Sequence, residues 1–184
     1  GSHRNWGVIG KRLSDERHVH AVDMRNHGAS PHHPSHSYED LADDLALVIE
    51  RIGGPVDVVG HSMGGKAAMV LALKRPELLH RLIVADIAPV AYEGIDHEPI
   101  KAMKSVDLEN ITKRSDAAAQ MGDLADDLKA LFLQSLDLQD RRWKLNLDVL
   151  ERDMLLIRGF PDIEGAFSNP TMFLTGAQSD YVLP

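Results

Sequence analysis

An α/β fold with a mostly parallel, helix-flanked sheet is expected of this chain on three grounds. Strand-like and helix-like stretches alternate from residue 18 to residue 86, the pattern of β-α-β units whose strands run the same way. A G-x-S-x-G run, Gly60-His61-Ser62-Met63-Gly64, lies where an apolar β-branched stretch gives way to a helix-forming one. Residues 92–160 then change character, becoming rich in Ala, Leu, Asp and Lys at helical spacing before one further strand-like run at 170–176.

The elements follow in order. Residues 6–13 carry a helical pattern and residues 18–22 read as a strand. A polar loop over 25–37, with four histidines and two prolines, leads to a helix over 38–52. Gly53-Gly54-Pro55 breaks the chain before the strand that ends at Gly60. A helix over 65–74 and a strand over 81–86 follow. Within 92–160 the helical periodicity is clearest at 116–136 and 143–156. An insertion of this length between two strands is expected to form a helical cap, with ordinary packing helices as the plainer alternative. The chain thus divides into a first core part at 1–91, a cap at 92–160 and a second core part at 161–184.

A serine on a sharp strand-to-helix turn is held in a strained backbone conformation with its hydroxyl clear of the sheet, which makes Ser62 a candidate nucleophile. Gly60 and Gly64 lack β-carbons, which is expected to let strand and helix approach. The amide of Met63, at the helix start, is the candidate oxyanion donor. The plainer reading of the pentapeptide is a glycine-rich turn with a serine N-cap. Gly60, Gly65 and Lys66 also satisfy G-x-x-x-x-G-K, the phosphate-binding loop of nucleotide hydrolases, and the next strand ends in Asp86. That loop needs Ser or Thr after the lysine to hold Mg²⁺, and position 67 is Ala. The nucleotide reading is therefore the weaker.

Composition sets limits. At 184 residues, one core with a helical insertion is the natural size. A net charge of -8 without a basic cluster argues against a nucleic-acid partner. The absence of cysteine rules out a disulfide scaffold and a thiolate nucleophile, and is compatible with a cytoplasmic location. No apolar run reaches membrane-spanning length.

Gly60-His61-Ser62-Met63-Gly64-Gly65-Lys66, then Arg75-Pro76-Glu77-Leu78 and Leu82-Ile83-Val84-Ala85-Asp86-Ile87-Ala88-Pro89-Val90, resemble the α/β-hydrolase superfamily. The branch is that of small bacterial esterases for short acyl esters and acyl-CoA thioesters, with mitochondrial animal relatives. Upstream, residues 19–30 are similar to the superfamily's D-x-R-x-H-G-x-S stretch, and residues 170–176 to its next-to-last strand. The resemblance implies an α/β-hydrolase fold with a helical cap and a serine carboxylic ester hydrolase, esterase or thioesterase. It implies no cofactor and no metal, and a small-molecule acyl ester or thioester as partner. A catalytically inactive relative that binds a small molecule is the alternative from another class. Oligomeric state is left open.

The same resemblance puts the general base in a G-H loop after the last strand, and nothing here matches that loop. The residues are therefore expected to be an internal stretch of a longer chain, with the sheet incomplete at both ends and the stretch inactive by itself. Among the histidines present, His61 sits inside the elbow and is expected to point away from the Ser62 proton. His20 is expected at a core or edge position, and His27 in a turn held by Asp23 and Arg25. His32, His33 and His36 are expected on a solvated loop rather than at a metal. For the acid, the usual position three residues after Gly176 is Ser179, with Asp180 one residue late. In this branch the acid is placed after the strand that follows the elbow helix, which is Asp86. Asp148 holds the role in some relatives. The order of preference is Asp86, Asp180, Asp148.

Overall fold

A computed structural model describes the chain except residues 1, 95–96, 180 and 183–184. In chain order its helices and strands are α1 (Gly7–Leu13), α2 (Tyr38–Ile52), β1 (Val56–His61), α3 (Met63–Lys74), β2 (Leu79–Ala85), α4 (Glu98–Lys104), α5 (Arg114–Gln120), α6 (Asp126–Leu133), β3 (Leu136–Asp137), β4 (Arg142–Trp143), α7 (Leu147–Arg152), α8 (Met154–Arg158) and β5 (Thr171–Leu174). They fall into two compact units. One holds residues 1–34 and 95–152, the other residues 35–94 and 153–184.

The second unit carries the sheet. Its strand order is β1-β2-β5, and both pairings are parallel, with Val58 opposite Leu82 and Val84 opposite Phe173. Parallel neighbours need a crossover between them, and α3 supplies the one between β1 and β2. The α2 helix starts where Ser37 Oγ accepts the Asp40 amide at 3.1 Å, with Glu39 and Asp40 favourably placed in its first turn. It stops at Gly53, whose φ of 100° is the left-handed conformation that glycine reaches without strain. Leu41, Ala42, Ala46 and Ile49 are its buried face. Helix α3 is buried on nearly all sides, from Gly65 through Ala72. Leu41, Leu71, Val70 and Val84 are fully inaccessible, and burying each such side chain is worth roughly 1.5–3 kcal/mol.

The first unit is helical with one small hairpin. Trp143 is buried and its indole N–H donates to the Met103 carbonyl at 2.9 Å, which ties β4 to α4. Met103, Met121, Leu133 and Leu136 fill its core. At the D-x-R-x-H-G turn, the Asp23 carboxylate accepts the backbone amides of His3 (2.6 Å) and Ala29 (2.8 Å). Burial alone would raise the Asp23 pKa, but these amides and the His3 ring outweigh it and hold the carboxyl below its usual value. Gly28 sits at φ 60° directly over this carboxylate, where a β-carbon would collide with it.

Three expectations are revised. Residues 18–22 form no regular secondary structure and join no ladder among the described residues, and His20 is exposed. A strand needs a hydrogen-bonded neighbour, and apolar alternation does not provide one. The helical stretch 116–136 is two helices, α5 and α6, parted at Gly122 with φ 61°, and its end turns into the β3–β4 hairpin. His36 lies on no solvated loop: it is 1% exposed, with Nε2 3.3 Å from Met63 Sδ.

Candidate active site

Register places the candidate residues. His61 is opposite Ala85 on adjacent parallel strands, so Ser62 and Asp86 leave the carboxyl ends of β1 and β2 side by side. The Ser62 amide donates to the Ala85 carbonyl at 3.0 Å, and the Asp86 amide to the Leu174 carbonyl at 2.7 Å. Carboxyl ends of parallel strands are where open α/β sheets place their ligand sites.

Ser62 has φ 52° and ψ -124°, and Asp86 has φ 55°. Non-glycine residues in such regions cost about 1–3 kcal/mol each and persist only where the surroundings enforce them. For Ser62 the enforcement is the turn itself, whose carbonyl accepts the amides of Gly65 (2.8 Å) and Lys66 (3.1 Å). Its side chain stands at the N-cap position of α3 yet makes no capping hydrogen bond. A helix-capping role therefore does not account for the serine. Met63 is the first residue of α3, so its amide has no carbonyl within the helix to donate to.

The glycine assignment needs a correction. A β-carbon on Gly60 would meet Gly64 backbone atoms and lie 2.7 Å from Gly65 Cα. On Gly65 it would lie 2.7 Å from Ile87 Cγ2. On Gly64 it would meet nothing within 4 Å. The close approach thus depends on Gly60 and Gly65, because Gly64 directs its missing side chain away from the strand. Gly60→Ala is expected to cost roughly 1–3 kcal/mol or more in urea unfolding, since backbone atoms cannot step aside. Gly64→Ala should be neutral or stabilising by about 0.5–1 kcal/mol, as alanine is preferred inside a helix. Equal losses for the two would contradict this packing.

The carboxylate of Asp86 faces the chain that leaves β5. Its Oδ1 accepts the Gly176 amide at 3.2 Å. The Ser179 hydroxyl, then the Gly176 amide and more weakly His61, hold it below the usual carboxylate range. Asp86, Gly176, Ala177, Gln178, Ser179 and Tyr181 line a shallow hollow that is open to solvent. Ser179, at the usual acid position, and Asp86 therefore converge on one spot from two strands. Asp180 lies outside the described residues. Asp148, on α7, has an 87% exposed side chain paired with Lys104 Nζ at 2.7 Å, which lowers its pKa.

Lys66 was legible only as part of the phosphate-loop pattern, and the structure gives it another role. Its side chain is 1% exposed. Nζ donates to the carbonyls of Val90 (2.8 Å), Arg158 (2.9 Å) and Gly159 (2.5 Å), and lies 4.6 Å from the centre of the Tyr92 ring. Burial first, and then the Arg158 guanidinium, push it down to about 8. An ammonium committed to three carbonyls is not available to a phosphate, so the nucleotide reading fails on geometry as well as on Ala67. Lys66, set directly before the apolar run Ala-Ala-Met-Val-Leu of α3, is the sequence signal for a buried, partnered cation. Among the described residues, no three histidine or carboxylate side chains stand close enough to share a metal ion.

Comparison with known proteins agrees with this architecture. A family model described as alpha/beta hydrolase fold matches residues 1–181. A mouse protein named sn-1-specific diacylglycerol lipase ABHD11 is 39% identical over 197 residues, covering 100% of this chain and 64% of that protein. Esterase YbfF of Escherichia coli is 33% identical over 186 residues, covering 99% of the chain and 72% of the esterase. A solved structure titled Marine microorganism esterase superposes with a TM-score of 0.92 at 36% identity, over 100% of this chain and 75% of that one. The chain spans a little under two thirds of the length of the vertebrate relatives. No helix among the described residues is long and apolar enough to cross a membrane. With a family model over nearly its whole length and relatives that are esterases and lipases, the chain belongs to the α/β-hydrolase family.

Proposed function

We propose that this chain carries the nucleophile half of a serine carboxylic ester hydrolase acting on short acyl esters or acyl thioesters. The observation that carries the reading is Ser62, at φ 52° between β1 and α3 with no capping bond on its hydroxyl. Strain that serves no capping purpose fits a hydroxyl aimed at substrate. In this reading Ser62 Oγ attacks the acyl carbon and passes its proton to a histidine. The Met63 amide supplies one donor to the oxyanion, and Asp86 holds the histidine in the tautomer that accepts the proton. Collapse of the oxyanion expels the alcohol or thiol, which takes the proton back from the imidazolium, and leaves an acyl-Ser62 ester, which water cleaves with the same histidine as base. Asp86 is preferred as acid because it leaves the strand beside Ser62 and is held ionised by Ser179 and Gly176. The names of the mouse and E. coli relatives support an ester as the substrate class. A cytoplasmic site of action, with which the lack of cysteine is compatible, belongs to the same proposal.

Labelling of the full-length protein with a fluorophosphonate probe tests the reading. Stoichiometric modification at Ser62 supports it. Absence of labelling in a folded protein with a saturable small-molecule site would favour the inactive binding module.

We further propose that residues 92–160 set acyl-chain preference. Met103, Met121 and Leu133 are buried and belong to packing, whereas Leu131 is 41% exposed and Leu128 37%, both on α6, with Phe132 partly exposed. Leu128→Ala and Leu131→Ala are expected to shift the ratio of kcat/KM between octanoyl and acetyl p-nitrophenyl esters by about 10-fold, since one or two methylene contacts are worth that much. Equal scaling of both esters would make α6 a packing element only.

A further inference from the structure

We propose that Tyr92 is a positioning residue for the Asp86 carboxylate, its hydroxyl joining the chain that leaves β2 to the chain that leaves β5; this rests on Asp86 being the acid. The Ala88 amide donates to Tyr92 Oη at 2.9 Å, and that hydroxyl donates onward to the Tyr181 carbonyl at 2.7 Å. The Tyr92 and Tyr181 rings meet edge to face, with centres 5.5 Å apart at 70°. At the other end of the same two segments, Asp86 Oδ1 accepts the Gly176 amide. Asp86 and Tyr92 on one segment are thus hydrogen-bonded to Gly176 and Tyr181 on the other, and Asp86, Gly176, Ser179 and Tyr181 line the same hollow.

Tyr92 is itself well fixed. Its amide donates to the Arg158 carbonyl at 3.0 Å, and the Lys66 ammonium lies 4.6 Å from its ring centre. The same ammonium holds the Val90 carbonyl, two positions earlier. A hydroxyl mounted on so rigid a ring can hold a loop that would otherwise relax. Asp86 gives the loop a reason to relax, because its φ of 55° is unfavourable unless the surroundings enforce it. Ala88 is two residues beyond Asp86, close enough for its anchoring to constrain the Asp86 backbone directly.

The test uses the full-length protein and Tyr92→Phe, which keeps the ring, its contact with Lys66 and its edge-to-face partner while removing only the hydroxyl. Asp86→Asn is measured beside it. Loss of positioning should lower kcat on a p-nitrophenyl ester about 10-fold, in line with the penalty for a small misplacement of a reacting group, with KM little changed. The acid limb of kcat/KM should also move to lower pH, because a carboxylate held less well stabilises the imidazolium less and lets it lose its proton earlier. A merely structural role would lower the unfolding midpoint and leave that limb in place. If Asp86→Asn is crippled while Tyr92→Phe keeps its kcat and its acid limb, or loses only in KM, the inference is wrong and the acid assignment stands. If Asp86→Asn is as active as wild type, the acid assignment fails and the inference falls with it.

Discussion

Replacing Ser62 with alanine in the full-length protein should lower ester hydrolysis by about 10⁴-fold or more, the size of loss seen when the nucleophile of a coupled triad is removed. Stability should hold or rise. Ser62 makes no side-chain capping bond, so no cap is lost, and alanine at φ 52° is strained to the same degree as serine. Activity and urea unfolding measured on one preparation separate the two effects. Retention of more than about a tenth of wild-type activity, against that expected loss, would remove Ser62 from the mechanism. The fluorophosphonate label should disappear in the same variant.

Asp86→Asn is the second large effect, with a fall in kcat of about 10³–10⁴-fold expected from losing the charge that orients and stabilises the histidine. The amide is nearly isosteric and its oxygen can still accept the Gly176 amide, so the loop between β2 and that hollow should keep its shape. Ser179 and Gly176 hold the Asp86 carboxyl below its ordinary range, so it stays ionised while the histidine titrates. The acid limb of the wild-type profile should then report the histidine alone, with activity present above the imidazolium pKa and lost as pH falls through it. Asp148→Asn is the control. Its exposed carboxylate pairs with Lys104, and water screens an ion pair so open, so activity should stay close to that of the wild type. A crippled Asp148→Asn beside an active Asp86→Asn would exchange the two assignments.

Much of the fold is legible in the sequence. Helix α2 spans Tyr38–Ile52 because its punctuation is local: a serine cap, two acids in the first turn and Gly53 at the end. The elbow was readable for the same reason, with apolar β-branched residues stopping at a glycine and a helix-forming run starting after another. Other features depended on partners distant in sequence. Residues 18–22 alternate like a strand, but no local signal reports whether a neighbour exists to pair with them. Gly122, a glycine inside the helical pattern of 116–136, is the local signal for the break, because its φ of 61° suits the end of a helix.

At the site itself, local sequence determined what Ser62 and Met63 are, because a strand-to-helix turn around one serine is a short-range structure of a few consecutive residues. The glycines were only half decided there. Which of Gly60, Gly64 and Gly65 must lack a side chain depends on where Ile87 and Val84 come to lie, and those residues belong to another segment. The same holds for Lys66, Tyr92 and the convergence of Asp86 with Ser179. Each is defined by carbonyls, rings and amides brought together from positions as far apart as 66 and 159, or 86 and 179. The chain writes its turns locally, whereas a buried cation finds its acceptors and an acid its donors only when the parallel sheet sets distant loops side by side.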